Sequence, residues 1–408
     1  MNPTRTGLID VPTKPIKIGI IGYGHIAQKH LESYEQIMQR EGDLFRITSV
    51  CDHVEDSAKA LAARIGEWQD TAPMVHTDVH KMVVHYELHG ADICTPHYDH
   101  HLTGVQCLEA GTNVLIEKPF GVTTRASRLI LEAARKNKLI TACAGNIRRQ
   151  PPQRALYWAI HQKGMIGEPR LFYVQHAGYH RSNTPRAWHW RTDKFMGGGG
   201  MIMDRGIHFA DTMGYVFGEP ERIYATVRQH EKWPHIREGK TVFDDREDTW
   251  MVMLNFRGGV DGFWSSTAVA PGEPSTLVAF YGSAGSIIDD GDVFMTPSPQ
   301  ARVTRQGEGT RTLSEIIPEY MASLSAEDRG RLFPHGFEDA MTLEIYDFLR
   351  ALATGTRPEI DGEAGLRTKA ICEAIYESAH CAEAIPYAEV VDGFIEGYQR
   401  EINEHWGI

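Results

Sequence analysis

A chain of 408 residues that is 42% hydrophobic and 24% charged has the profile of a folded globular protein, which excludes a wholly disordered or fibrous one. At roughly 100–200 residues per domain it accommodates two domains, each with its own core. Its 42 Lys and Arg against 54 Asp and Glu leave a formal net charge of −12, which repels nucleic-acid phosphates and anionic lipid surfaces and argues against either as a partner. No window approaches the roughly 18 uninterrupted apolar residues of a membrane helix, and the N-terminus lacks the apolar core of a signal peptide, so a cytoplasmic protein is expected. The six cysteines, Cys51, Cys94, Cys107, Cys143, Cys372 and Cys381, form no CxxC pair, which points to reduced thiols rather than a zinc or redox site.

Residues 16–50 read as strand, glycine-rich turn, helix, strand, with Ile16-Lys17-Ile18-Gly19-Ile20-Ile21-Gly22 nearly all apolar, as in a parallel strand buried on both faces. The alternation continues through a helix at 56–65, a strand at 91–95, a helix at 103–110, a strand at 113–117 and a helix at 124–137. Strands alternating with helices predict a doubly wound parallel sheet of the Rossmann type. After a short strand at 139–144 the pattern changes: one helix at 155–163, then strands at 170–176, 222–229, 249–256, 259–267, 276–281 and 285–288 with no helices between most of them. This places a boundary near Gly145, between a doubly wound domain over 1–145 and an α+β domain with a largely antiparallel open sheet over 146–408. Residues 291–335 are polar and without period, which reads as a long surface excursion. Helical patterns follow at 337–354 and 364–382, and these last helices are candidates to pack back on the first domain.

Gly22-Tyr23-Gly24-His25-Ile26-Ala27 follows a strand and opens a helix, giving a GxGxxA turn in the context that makes such a match meaningful. Gly22 permits the tight turn, Gly24 lets the backbone approach a pyrophosphate, and the amides at the helix start, with His25 and Ile26, face the anion. Asp52 stands at the end of the second strand, 28 residues after Gly24. A carboxylate there accepts the adenosine ribose hydroxyls and repels a 2′-phosphate, so NAD is expected over NADP.

Thr95-Pro96 after the fourth strand, Glu117-Lys118-Pro119 after the fifth, and Gly197-Gly198-Gly199-Gly200 leading to Asp204-Arg205-Gly206-Ile207-His208 together resemble the glucose-fructose oxidoreductase and inositol dehydrogenase family, written Gfo/Idh/MocA. The likeness covers most of the chain. It implies NAD(P)-dependent oxidation of a secondary alcohol, commonly on a sugar or cyclitol, with Lys118, Asp204 and His208 on the family's catalytic positions and a homodimer or homotetramer built on the sheet of the second domain. It also suggests a cis peptide before Pro119. The residue chemistry agrees: His208 suits the base that removes a hydroxyl proton, and Lys118 suits a donor to the reacting oxygen. Asp204 and His208 lie four apart, which on one helix places them on one face, where Asp204 orients His208 or meets the substrate. The family often has Asn where this chain has His97, and His100 falls on its recurrent histidine; each is expected either at the nicotinamide ribose or as a helix cap. Glu117 and Asn146 complete the expected cofactor contacts.

On the substrate side, Arg148, His176, His180, Trp188, Trp190 and Arg191 are the candidates, alongside Lys118, Asp204 and His208. Indoles meet the CH faces of sugars and forked donors meet their hydroxyls. Arg148, Arg149, Arg181, Arg186 and Arg191 also allow a clamp on a carboxylate or phosphate, which keeps carboxylated substrates and aromatic cis-dihydrodiols open. His76/His80 and His85/His89 have a spacing that suits one helix face, yet no HExxH or cysteine pair accompanies them, and no metal is expected. Two further readings stay open: a glycosidase that recycles its NAD, and a non-catalytic dinucleotide-sensing regulator, against which the survival of Lys118, Asp204 and His208 argues.

Overall fold

The structure is a computed structural model that describes residues 15–179 and 184–408. From the N-terminus it runs β1 (Ile16–Ile21), α1 (His25–Glu41), β2 (Phe45–Cys51), α2 (Glu55–Gly66), β3 (Met74–His76), α3 (Val79–His85), β4 (Gly90–Ile93), α4 (His100–Glu109), β5 (Asn113–Glu117), α5 (Thr124–Asn137) and β6 (Thr141–Ala144). There follow α6 (Pro151–Tyr157), β7 (Pro169–Ala177), β8 (Arg186–Ala187), α7 (Lys194–Gly197), α8 (Met201–Asp204), α9 (Gly206–Phe217), β9 (Pro220–Arg228), β10 (Pro234–Arg237), β11 (Lys240–Phe243), β12 (Thr249–Phe256), β13 (Asp261–Thr267), β14 (Ser275–Gly282) and β15 (Gly285–Asp289). The remainder is β16 (Arg302–Arg305), β17 (Gly309–Thr312), α10 (Leu313–Ser323), α11 (Ala326–Leu332), α12 (Ala340–Thr354), α13 (Gly362–Cys381), β18 (Ile385–Pro386), α14 (Tyr387–Asp392) and α15 (Arg400–Trp406).

Two compact units result. The first takes residues up to Val122 together with 126–149 and 324–366, and the second takes 123–125, 150–323 and 367–408. The first is built on a six-stranded parallel sheet of order β3-β2-β1-β4-β5-β6, which is the doubly wound order. Ile18, Ile20, Ile47, Val50 and Leu115 are buried between helices on both faces, which explains why β1 reads as an unbroken apolar run. The second unit carries a nine-stranded sheet of order β17-β16-β15-β14-β7-β13-β12-β9-β18, antiparallel except between β7 and β13. Strand β12 alternates, with Trp250, Val252 and Leu254 buried while Met251 and Met253 are exposed. A small sheet β11-β10-β8 stands apart.

Two expectations are corrected here. The stretch 291–335 is not an unstructured excursion: β16 and β17 lengthen the large sheet, and α10 and α11 follow. Strands of four residues and Pro318 within α10 hide the period, although Leu313, Ile316 and Tyr320 are spaced to bury one helical face. Of the last helices, the candidates to pack back on the first domain, α12 does so, since 324–366 lies with the first unit, whereas 367–408 stays with the second. Helix α12 buries Ile345, Phe348 and Leu349 in the core that holds Ile18 and Ile20, and at Gly90 of β4 a Cβ would sit 2.9 Å from the Phe348 ring. The helix expected at 155–163 begins earlier, at Pro151, and ends in a π-helical turn over Trp158–Gln162.

Phe348 has no exposed surface, so Phe348→Ala should destabilise the first unit by about 3–5 kcal/mol through lost burial and a residual cavity. Denaturant unfolding reads this directly, and a cost below about 1 kcal/mol would remove α12 from that core.

Candidate active site

In the first unit the expected cofactor residues gather along one edge, because every parallel strand points its carboxyl end the same way. Gly22 follows β1, Asp52 follows β2, Thr95 and Pro96 follow β4, Lys118 follows β5 and Asn146 follows β6. Gly22 holds φ +92°, and a Cβ on it would lie 2.8 Å from the carbonyl oxygen of Cys94, so the turn admits only glycine. Gly24 is different: a Cβ there would meet nothing within 4 Å, so what favours its small size lies outside the protein's own packing. Gly24 caps α1 without a side-chain hydrogen bond, which leaves the first amides of the helix, at exposed His25 and half-buried Ile26, to an external acceptor. The amide of Tyr23 donates to Asp52 Oδ2 at 2.9 Å and that of Val54 to Oδ1 at 2.9 Å. These bonds fix the carboxylate and leave it lone pairs for ribose hydroxyls.

Thr95 Oγ1 and Asn146 Oδ1 are buried without a hydrogen-bond partner in the chain. With the Gly24 opening and the uncapped α1, these orphaned atoms on the carboxyl edge fit a dinucleotide. The peptide between Lys118 and Pro119 is cis, and Lys118 is half-buried.

One histidine expectation changes. His100 is fully buried, with Nδ1 2.8 Å from the Pro119 carbonyl oxygen and Nε2 2.9 Å from that of Thr95. It neither caps a helix nor presents a ring nitrogen to a ribose; it braces the turn after β4 against the turn after β5. Burial lowers its basicity, a pull that the two carbonyls partly offset. His97 is buried beside it, with ring centroids 5.7 Å apart. Glu117 also turns inward: Oε1 lies 3.1 Å from His30 Nε2, and Oε2 accepts the Lys118 amide at 2.9 Å. Its carboxylate is thus committed to the protein rather than to a cofactor.

In the second unit Asp204 and His208 do not share a helix. Asp204 ends α8 and His208 lies in the first turn of α9, with Arg205 between the two. Asp204 Oδ1 accepts Arg191 Nε at 3.1 Å, and the Arg191 guanidinium lies 4.2 Å from the Trp190 ring centre. This chain of indole, guanidinium and carboxylate joins three of the expected substrate residues. Trp188 stands elsewhere, under Arg237 at 4.1 Å, with its amide on the Ile236 carbonyl of β10. His176, on β7, has Nδ1 3.2 Å from Thr276 Oγ1 and lines a cavity of about 260 Å³ walled by Trp233, Trp250, Phe294, Arg205 and Asp248. His180 and Arg181 lie outside the described residues. The arginine clamp is dispersed: Arg149 is buried on Asp347 at 3.1 Å and Glu359 at 3.3 Å, Arg186 is exposed on β8, and Arg148 is half-buried.

The glycine run has a cause that sequence reasoning missed. The Gly200 amide donates to Glu247 Oε2 and to the Tyr376 hydroxyl, both at 3.0 Å, and the Ile202 amide donates to Glu247 Oε1 at 2.8 Å. A Cβ on Gly199 would lie 2.5 Å from the Tyr376 hydroxyl, and one on Gly206 would lie 2.7 Å from the Trp264 ring. Glu247 and Tyr376 therefore hold the approach to Asp204, yet they are 47 and 176 residues from Gly200, and no local signal marks them.

Neither histidine pair shares a helix: His76 ends β3 and His89 follows α3. His85 Nδ1 sits on the Lys81 carbonyl and His89 Nδ1 accepts the Lys17 amide. Among the described residues, the groups close enough to share a cation are instead His30 with Asp92 and Cys94, and His30 with Glu117 and Glu344.

The sequence matches known families in two stretches. Residues 16–144 match the oxidoreductase family with an NAD-binding Rossmann fold, and residues 158–288 match the GFO/IDH/MocA C-terminal domain. The chain is 24% identical over 389 residues to levoglucosan dehydrogenase of Pseudarthrobacter phenanthrenivorans, covering 89% of this chain and 96% of that one. It is 21% identical over 384 residues to myo-inositol 2-dehydrogenase of Thermotoga maritima, covering 92% and 100%. The solved structure of levoglucosan dehydrogenase in complex with NADH and levoglucosan shares the fold, with a TM-score of 0.73 at 22% identity over 92% of this chain and 100% of that one. The chain belongs to the Gfo/Idh/MocA family and is an oxidoreductase with an NAD-binding Rossmann domain. Among the described residues no helix is long and apolar enough to cross a membrane.

Proposed function

We propose that the protein is an NAD-dependent dehydrogenase that oxidises a secondary hydroxyl of a sugar, cyclitol or sugar derivative to a ketone. The observation that carries this reading is Lys118 at the carboxyl end of β5, on the same sheet edge as Gly22 and Asp52. The substrate class is supported by the relatives' names, levoglucosan dehydrogenase and myo-inositol 2-dehydrogenase. The walls of the cavity at His176, indoles beside carboxylates and a guanidinium, suit a ligand with CH faces and many hydroxyls.

Bound NAD supplies the hydride acceptor. His208 takes the hydroxyl proton, Lys118 donates a hydrogen bond to the oxygen as the carbon–oxygen double bond forms, and Asp204 holds Arg191 for the substrate. The six cysteines are all free thiols, five of them buried, which fits a reducing cytoplasm.

The first experiment follows absorbance of NADH with purified protein, NAD and a panel of sugars, cyclitols, sugar acids, glycosides and dihydrodiols, with product analysis in parallel. NADH with a polyol is expected. Product without NADH would replace this reading with internal cofactor recycling, and silence on both would favour a regulator. Lys118→Ala and His208→Ala should each lower kcat by about 10²–10⁴-fold with NAD affinity nearly intact, and unchanged turnover in both would remove the assignment. Asp52→Ala should narrow the preference for NAD over NADP by about tenfold or more, the scale of a hydrogen bond to a charged group; an unmoved ratio means that another group reads the ribose.

We further propose that the outer face of the large sheet pairs two copies of the chain. Tyr224, Met253, Phe263 and Tyr173 are register neighbours across β9, β12, β13 and β7. Met251 and Met253 are each 54% exposed on that face, and exposed apolar side chains in adjacent register suit a protein–protein contact. Sedimentation velocity at about 10 μM should show a dimer or tetramer that Met253→Asp dissociates, and a monomeric wild type would overturn the pairing.

A further inference from the structure

The most heavily charged region in the interior of the first unit lies behind the Lys118 turn. His30, on α1, has no exposed surface, and both of its ring nitrogens rest on carboxylates. Nδ1 is 2.8 Å from Asp92 Oδ2; Nε2 is 3.1 Å from Glu117 Oε1 and 3.5 Å from Glu344 Oε1. A neutral imidazole has a single N–H, so two carboxylate contacts are both satisfied only when each nitrogen carries a proton.

We propose that His30 is a positioning residue for Lys118, acting through Glu117. The path is short. Glu117 Oε1 is held by His30, which leaves Oε2 to accept the Lys118 backbone amide at 2.9 Å. Asp92 holds the ring from the other side and is itself met by the Cys94 thiol at 3.6 Å. The Pro119 carbonyl, on the far side of the same turn, is held by His100. The backbone of Lys118 is thus clamped before and after the side chain that meets the reacting oxygen, and a fixed donor saves reorganisation as charge develops.

The groups facing His30 are Asp92 and Cys94 after α3, Glu117 on β5, Glu344 on α12 and Tyr34 on α1, with the charge of Arg149 acting on Glu344. Burial works against charge on His30, but Asp92 and then Cys94 outweigh it and hold the imidazole well above its usual basicity. Burial holds Glu344 protonated well above the carboxylate range. Burial raises Glu117 too, yet the hydrogen bond and charge of His30 prevail and leave it below its usual value. The ring that gains basicity thus faces Glu117, held in its charged form, and Glu344, held in its neutral form, with the Arg149 guanidinium nearby.

The inference rests on Lys118 serving the reaction as proposed above, and the test separates the two. His30→Gln should lower kcat by about 10–100-fold, the scale of a slightly misplaced catalytic group. KM and NAD affinity should stay within about twofold. In a Glu117→Gln background the same substitution should cost little more, because the path is already cut. A folded His30→Gln with normal kcat, or an equal loss in both backgrounds, would overturn the proposal. Should His30→Gln fail to fold, Asp92→Asn takes its place, and the wild type carries an independent readout. In ¹⁵N-histidine NMR, one ring should remain doubly protonated and exchange-protected at pH values where an ordinary imidazole, titrating at about 6.5, has lost its proton; its absence would overturn the proposal. Normal turnover in Lys118→Ala sinks the functional reading instead, and leaves the NMR result standing.

Discussion

The first unit depends on an ion network that closes around one imidazole. His30 lies on α1, Asp92 on β4, Glu117 on β5 and Glu344 on α12, so a single buried group ties together the helix that follows the dinucleotide turn, two central strands and a helix more than 300 residues further along the chain. Removing one partner from such a cluster leaves a charge without water or counter-charge, which is far costlier than losing an exposed pair. The linkage to pH has two signs. Because the folded protein holds the His30 proton more tightly than the unfolded chain, that contribution is complete below about pH 6.5 and fades as pH rises through the raised value. Glu117, with its lowered value, contributes above the ordinary carboxylate range and loses its share as pH falls through that lowered value. Glu344 opposes it: its raised value means that stability is lost as pH rises past the ordinary range.

The second unit is organised around a different constraint, the close approach of backbone to side chains at its glycine run. Glu247 and Tyr376 capture the Gly200 and Ile202 amides, and the missing side chain at Gly206 admits Trp264. These contacts set where α8 stops and α9 starts, and so where Asp204 and His208 stand. Asp204 is then met by Arg191, whose guanidinium lies over Trp190. Asp204 and His208 fall on two consecutive helices joined at Arg205, whose backbone stays in the αR region and whose amide still bonds the Met201 carbonyl at 3.0 Å.

Much of the first unit was legible in the sequence. Strands buried on both faces announce themselves as unbroken apolar runs, and Gly22 is required by a backbone angle that the GxGxxA motif encodes locally. The place of Asp52 at the end of β2 is legible because the strand's apolar run stops there, and the structure holds its carboxylate on the Tyr23 and Val54 amides. Harder to read were the residues that act through space. Glu117 looked like a cofactor contact because Lys118 beside it is at the edge, yet its carboxylate turns inward to His30. His100 looked like a ribose contact or a cap, yet its ring is spent on two carbonyls. Nothing in the neighbourhood of either residue names its partner.

The sequence by itself determined the class: a parallel α/β sheet with a dinucleotide turn, then a largely antiparallel sheet, and the motifs around Lys118, Asp204 and His208 that mark the family. Those features depend on residues close together in the chain, where periodicity, φ preference and motif spacing act directly. Tertiary structure alone decided which of the last helices completes the first unit, that 302–312 extends the large sheet, and which distant carboxylates and hydroxyls hold the motif residues in place. Short strands carry too few residues to show a period, and a buried ion pair between residues hundreds apart leaves no mark until the chain has folded and excluded water from both.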